Sequence, residues 1–234
     1  MDTLKLLSGG AAQGLLELLG PIFTAQGGLV IDADFGAVGT MAAKLRGGVA
    51  TDLVILTDPI IAALEQDGLI VPGSMVPIGL VETAIAIRDG DARVAIADAD
   101  ALRETLLAAD ALFVPDMTSS TAGQHVARLL DQLGIAAEMQ ERIHESPNGA
   151  IAMRKLSEST FDCPIGCTQS TEIIRTPNLT LVGALPAPCA LATVYSAAIT
   201  RLALNANAAQ RLIDILIAPD HAHIRANAGF LRIK

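Results

Sequence analysis

Short apolar runs, separated by segments of helical periodicity, constrain this chain more than any other feature. Leu4 to Leu7, Leu29 to Ile31, Leu53 to Leu56, Leu112 to Val114 and Leu179 to Val182 are rich in Leu, Val and Ile and are bounded by Gly, Asp, Thr or Pro. Runs of this length and composition read as strands buried on both faces. Helical patterns lie among them at Ala11 to Phe23, Gly39 to Leu45, Pro59 to Gln66, Ala101 to Ala108, Thr121 to Leu133 and Ala208 to Ile217. Strand and helix in alternation imply parallel sheets with right-handed crossovers, so the expected fold class is α/β.

Two apolar stretches break that rhythm. VPIGLVETAIAI (76–87) and ALATVYSAAI (190–199) are too long for short core strands. A segment that leaves one sheet and joins another has this appearance. The expected organisation is therefore a first lobe of residues 1–80 plus 192–234, a second lobe of 81–191, and a ligand cleft between them. RDGDARVAIADADALRE carries helix start signals and reads as a charged surface connection.

Charge and composition narrow the partners. Sixteen Lys and Arg against 25 Asp and Glu give a net charge of -9, and the bases are scattered, so no nucleic-acid footprint is expected. No apolar stretch reaches the roughly 18 residues that a spanning helix needs, so no membrane insertion is expected. Aromatic residues are only 3% of the chain, with no Trp and one tyrosine, Tyr195. Ligands that need stacking rings are disfavoured, and a small polar ligand is favoured.

MDTLKLLSGGAAQGLLELLGPIF lacks the basic segment and unbroken apolar core of a secretory signal. The sequence as it stands reads as cytoplasmic, and as periplasmic if a leader has been removed. Cys163, Cys167 and Cys189 form an odd set without paired spacing, which suits reduced, small buried thiols rather than disulfides or a metal site. No metal and no cofactor are expected.

Small and hydroxyl residues recur where strands hand over to helices. Ser8, Gly9, Gly10 and Ala11 follow the first run; Gly36, Ala37, Val38, Gly39 and Thr40 follow the second; Thr118 to Gly123 opens a later helix. Ser146 to Gly149 and Gly166 to Gln169 are similar. In parallel α/β sheets such loops bare backbone amides at helix N-termini, where an anion can settle. They also serve as ordinary caps and turns. No loop fits GxGxxG after a strand or the P-loop pattern, so nucleotide binding is unsupported.

LKLLSGGAAQGLLELLGPIFTAQGG, DFGAVGTMAAKLRGGVATDLVILTDPIIAALEQDGLI, PDMTSSTAGQHVARLLDQLGIAAEM and LATVYSAAI, taken in order, resemble the molybdate-binding-protein-like branch of bacterial solute-binding proteins. The resemblance implies the two-lobed type II periplasmic-binding-protein fold, with mixed, mostly parallel sheets joined by two crossover strands. It further implies hinge closure on an oxyanion, with an ABC permease as partner if the chain is exported. Where molybdate binders use two serines, the aligned positions here are Ala11 and Val38 or Gly39, so both hydroxyls are missing. Further donors map near Thr121 or Ala122 and near Asn148 or Gly149, and the family's tyrosine matches Tyr195. The missing serines make a carboxylate ligand as plausible an expectation as molybdate or tungstate.

Aconitate isomerase is similar to the same family, so a cytoplasmic isomerase of a small unsaturated polycarboxylate is the alternative expectation. PIGCTQSTEIIR brings Cys167, Gln169 and Glu172 close together, and the Thr121 helix carries His125. Cys167, Glu172 and His125 are the candidate proton-transfer groups for such an enzyme, with Gln169 as a further ligand donor.

Overall fold

The computed structural model describes residues 3–233. The chain runs through β1 (Thr3–Gly9), a 3-10 turn (Gly10–Ala12), α1 (Gln13–Ala25), β2 (Val30–Gly36), α2 (Val38–Arg46), β3 (Leu53–Thr57), α3 (Asp58–Gln66) and the long β4 (Val76–Arg88). It continues through α4 (Ala99–Ala108), β5 (Ala111–Pro115), α5 (Thr121–Gln132), α6 (Ala136–Met139), β6 (Ile143–Ser146), α7 (Gly149–Ser157), β7 (Pro164–Gln169), α8 (Ser170–Arg175) and β8 (Leu179–Ala184). β9 (Ala192–Ile199), α9 (Ala206–Ile217) and α10 (Ala222–Asn227) complete the order. Two compact units result: residues up to Val81 together with those from Thr193 onward, and Glu82–Ala192.

In the first unit the strand order is β2-β1-β3-β9. β1 pairs in parallel with both β2 and β3, and β9 lies antiparallel to β3. All five residues of β3 are buried, as its unbroken LVILT run requires, whereas β2 alternates in exposure because it sits at an edge. β2 therefore extends beyond the apolar Leu29 to Ile31 run through the polar DADF segment to Gly36. One contiguous core joins Leu15 and Leu19 of α1, Ile55 of β3, Ile61 of α3 and Leu212 of α9.

In the second unit β5 lies parallel to β6 and β7, while β4 is antiparallel to β7 and β8. Its two faces carry separate cores. Ile85, Leu112, Val114 and Cys167 pack with Val126 and Leu129 of α5 on one face. Ala84, Ala86 and Phe113 pack with Ala152, Met153 and Leu156 of α7 on the other. α4 starts at Asp98, whose side chain accepts from the Ala101 amide at 2.9 Å, as the charged connection's start signals predict.

Both units are mixed rather than all parallel. The expectation of buried thiols holds for Cys167 and Cys189 but not for Cys163, which is exposed. Cys163 lies in the turn leading to β7, where its amide donates to the Asp110 carboxylate at 3.1 Å, so the backbone is tied while the thiol faces out. Among the described residues no helix is long and apolar enough to cross a membrane.

Candidate functional site

In the first unit the parallel strands end together. Gly9 of β1 lies in register with Gly36 of β2, and Thr57 of β3 with Tyr195 of β9. At each carboxyl end a helical segment starts: the 3-10 turn at Gly10, α2 after Ala37, and α3 after Thr57 with Pro59 in its first turn. The first amides of a helix have no acceptor within it, so three sets of donors gather at one end of the sheet. Neither Gly9, Ala37 nor Thr57 caps its helix with a side chain.

Packing at this end is tight. A Cβ on Gly9 would stand 2.8 Å from Val38 Cγ1 and 3.0 Å from Tyr195 Cε1, so glycine is what lets β1, α2 and the tyrosine ring meet. Tyr195 is buried and sets its ring edge-on to Phe230 with centroids 6.4 Å apart. Ser8 is fully buried and donates its hydroxyl to the Gly9 carbonyl at 2.9 Å. Ala11, Ala37 and Val38 are buried, Gly10 and Gly39 are half-buried, and Thr40 is exposed. Next to Tyr195, Ser196 donates to the Asp58 carboxylate at the head of α3.

The second unit gathers a different set. After β5, the Asp116 carboxylate accepts from the amide and hydroxyl of Thr118 at 3.0 and 2.8 Å, and from the hydroxyl of Ser119 at 2.7 Å. Hydrogen bonds to Ser119, then to Thr118, hold Asp116 down to about 2. The hydroxyls of Thr118 and Ser119 are thus committed to the loop's own carboxylate. An aspartate two residues before a hydroxyl pair is an Asx-turn signal that PDMTSS displays. Ser120 caps α5 by accepting from the Gly123 amide at 2.8 Å. A Cβ on Gly123 would collide with the Asp116 carbonyl, so the first turn of α5 sits directly on this loop.

Glu172 is the chemically distinctive residue. It occupies the third position of α8 after the cap residue Gln169 and accepts from the Gln169 amide, as in a capping box. It also accepts from the Thr168 hydroxyl at 2.6 Å and from the Ala150 amide in the first turn of α7. Burial outweighs these bonds and the nearby Arg175, and pushes the carboxyl up to about 7. Asn148 caps the same α7 by accepting from Ile151 at 2.9 Å, and Gly149 abuts Glu172 so closely that no side chain fits. Thr168 is a partner that sequence reading missed; its spacing of four from Glu172 across a strand–helix junction gives no periodic signal.

The structure puts Cys167 and Glu172 on different sides of β7. Cys167 faces the α5 side of β7 inside an apolar core, where burial pushes its thiol up to about 12. Thr168 and Glu172 lie toward α7, so Cys167 does not meet Glu172 across the strand. His125 Nε2 sits 2.8 Å from the Cys189 carbonyl, to which it can only donate. Gln169, 3% exposed, has neither carboxamide atom paired among the described residues, and the same holds for the buried hydroxyls of Thr83, Ser146 and Thr171.

Residues 4–231 match the bacterial extracellular solute-binding protein family. The aconitate isomerase of a Pseudomonas species is 25% identical over 238 residues, spanning 98% of this chain and 87% of that protein. The periplasmic molybdate-binding protein of Azotobacter vinelandii superposes with a TM-score of 0.82 at 20% identity, covering 99% of this chain and all (100%) of the other. The sulfate-binding protein SubI of Mycobacterium tuberculosis superposes at 0.76 and 20% identity, covering 100% and 88%. These likenesses establish the α/β fold of periplasmic binding proteins.

Proposed function

This chain belongs to the bacterial extracellular solute-binding protein family, and from that premise we propose that it binds a small anion, an oxyanion or a small carboxylate, at the strand-end loops of its two units. The observation that carries the reading is the meeting of Gly9, Val38 and Tyr195 where β1, β2 and β3 end at three helix starts. Helix N-termini favour negative charge through their unpaired amides and dipoles. Gly10 and Gly39 are half-buried and Thr40 is exposed, which leaves the backbone approachable there, and Ala11 and Ala37 add little bulk. In the second unit Thr121, Ala122, Asn148, Gly149 and Gln169 supply the corresponding donors. Delivery to an ABC permease and a periplasmic location belong to this reading.

The relatives named for molybdate and sulfate point to tetrahedral oxyanions, but no serine hydroxyl stands at Ala11 or at Val38 and Gly39. The test is a thermal shift confirmed by calorimetry against molybdate, tungstate, sulfate, phosphate, citrate, malonate and both aconitates. A ligand that binds only the folded state raises the melting temperature. A rise with at least one of these anions is expected; no shift and no heat with any of them overturns the proposal.

A second reading, isomerisation of a small unsaturated polycarboxylate, is favoured by Glu172 and by the aconitate isomerase relative. A buried carboxyl with a value of about 7, surrounded by amide and hydroxyl donors, is matched to taking and returning a proton near neutrality. Cys167 has no place in this reading, because a thiol held at about 12 supplies almost no thiolate. His125 donates Nε2–H to the Cys189 carbonyl, which leaves Nδ1 as the ring nitrogen that could take a proton. Incubation with trans-aconitate, followed by proton NMR, is expected to show the cis isomer if the reading holds. Absence of conversion by a protein that binds aconitate leaves the binding function alone.

A further inference from the structure

β7 alternates its side chains between two faces, with Thr168 reaching Glu172 on the α7 side and Cys167 packed against α5. Gln169 therefore lies on the α5 side. Its direct partner on β4 is Thr83, whose side chain shares that face, two residues from Ile85 in the same core. Gln169 is 3% exposed and Thr83 is 0% exposed. Oε1 and Nε2 of Gln169 and Oγ1 of Thr83 have no hydrogen-bond partner among the described residues.

Buried polar atoms are nearly always paired, so a cross-strand pair offering three unpaired atoms calls for an explanation. Its place in the fold supplies one. β5 and β7 run parallel, so α5, which follows β5, starts at the sheet end where Gln169 sits. Ser120 satisfies the Gly123 amide, while the amides of Thr121 and Ala122, in the first two helical positions, have no acceptor within the helix. Helix donors and an unpaired buried carboxamide thus converge on one end of the second unit.

The carboxamide differs from a helix N-terminus in one respect: it accepts as well as donates. A fully deprotonated oxyanion such as sulfate, molybdate or tungstate has acceptors only. It would satisfy Nε2 and the α5 amides but leave Oε1 facing further oxygen lone pairs. An anion with a hydroxyl of its own can give that proton to Oε1 while its charged oxygens take the amide protons.

We infer that Gln169, backed by Thr83, makes this unit select anions that carry a proton donor, hydroxycarboxylates or hydrogen phosphate, over anions that only accept. The inference rests on the anion-binding reading and names the ligand class within it. Two matched pairs separate the sources: malate against succinate, which differ by one hydroxyl, and phosphate against sulfate, which share a tetrahedral shape but differ in a proton at pH 7.

Calorimetric titration of the full chain with the four anions is the experiment, repeated on Gln169→Met and Thr83→Val. The expected result is that malate binds at least about tenfold tighter than succinate, or phosphate at least about tenfold tighter than sulfate. In Gln169→Met that ratio is expected to fall to within about threefold, mainly through loss of the donor-bearing ligand. Thr83→Val keeps the side-chain shape and is expected to lower the same ratio; it decides the matter if Gln169→Met does not fold. Equal affinities within both pairs, a preference for sulfate or succinate, or a ratio unchanged in the folded variants overturns the inference while leaving anion binding intact. Binding of no anion by the wild-type protein, including the wider panel above, overturns the anion-binding reading itself.

Discussion

The carboxylate of Glu172 lies against the α-carbon of Gly149, with Oε2 inside the space that a Cβ there would need. The Thr168 hydroxyl, bonded to the same oxygen, also stands within the space that Cβ would need. α8 and α7 thus share one carboxylate at their starts, and this contact fixes where the α7 amides point.

Gly149→Ala is expected to destabilise the protein by about 1–3 kcal/mol, the usual cost of forcing a methyl into a packed site. Urea unfolding monitored by circular dichroism reads it as a lower midpoint with an unchanged slope. An unchanged midpoint would show that Glu172 swings away at little cost, and the shared-carboxylate geometry would then be wrong.

Titration of Glu172 gives a signed pH dependence. Burial raises the carboxyl from an ordinary value of 4.5 to about 7, so between these values the folded state keeps a proton that the unfolded state has lost. Its contribution to stability is therefore fully present below about pH 4.5, declines as the pH rises to about 7, and is flat above that. At 1.36 kcal/mol per pH unit the decline is on the order of 3 kcal/mol. Glu172→Gln, neutral throughout, is expected to lose this slope, so that the stability difference between the two proteins drifts by that amount across the interval. Parallel stability curves from pH 4 to 8 would place the ionisation elsewhere.

Tyr195 offers a test of the first unit. Replacing it by Phe keeps the edge-on contact with Phe230 and the packing on Gly9, and removes only the hydroxyl. Anion affinity is expected to fall by about 1 kcal/mol or more if the hydroxyl donates to the ligand. Unchanged affinity in calorimetry takes Tyr195 out of the site and leaves it as a core residue.

Legibility from sequence followed burial. β3 and β5 are buried at every residue, and their apolar runs announce them. β6 and β7 gave no such signal: IHES is short and polar at a sheet edge, and PIGCTQ ends in two polar residues whose burial the sequence cannot display. Helix-start loops were legible as places where amides gather, because Gly, Ser and Thr mark them. What fills those loops was not. Asp116 consumes the hydroxyls of Thr118 and Ser119, and Glu172 takes the Ala150 amide, through contacts that exist only once strand and helix are assembled. Carboxylates of the chain itself compete for the donors that a reader of sequence assigns to a ligand.

Residues Glu82–Ala192 form an unbroken unit, whereas β3, near residue 55, takes as its neighbour β9, near residue 197. On the ribosome the inserted unit has its whole sequence in hand before β9 exists. The segment made first must wait, with one side of β3 unpaired, until the insert has been synthesised. The birth order of the two units is thus the reverse of their order of first appearance, and a pause in translation after residue 192 would lengthen the exposure of the first unit, not the second.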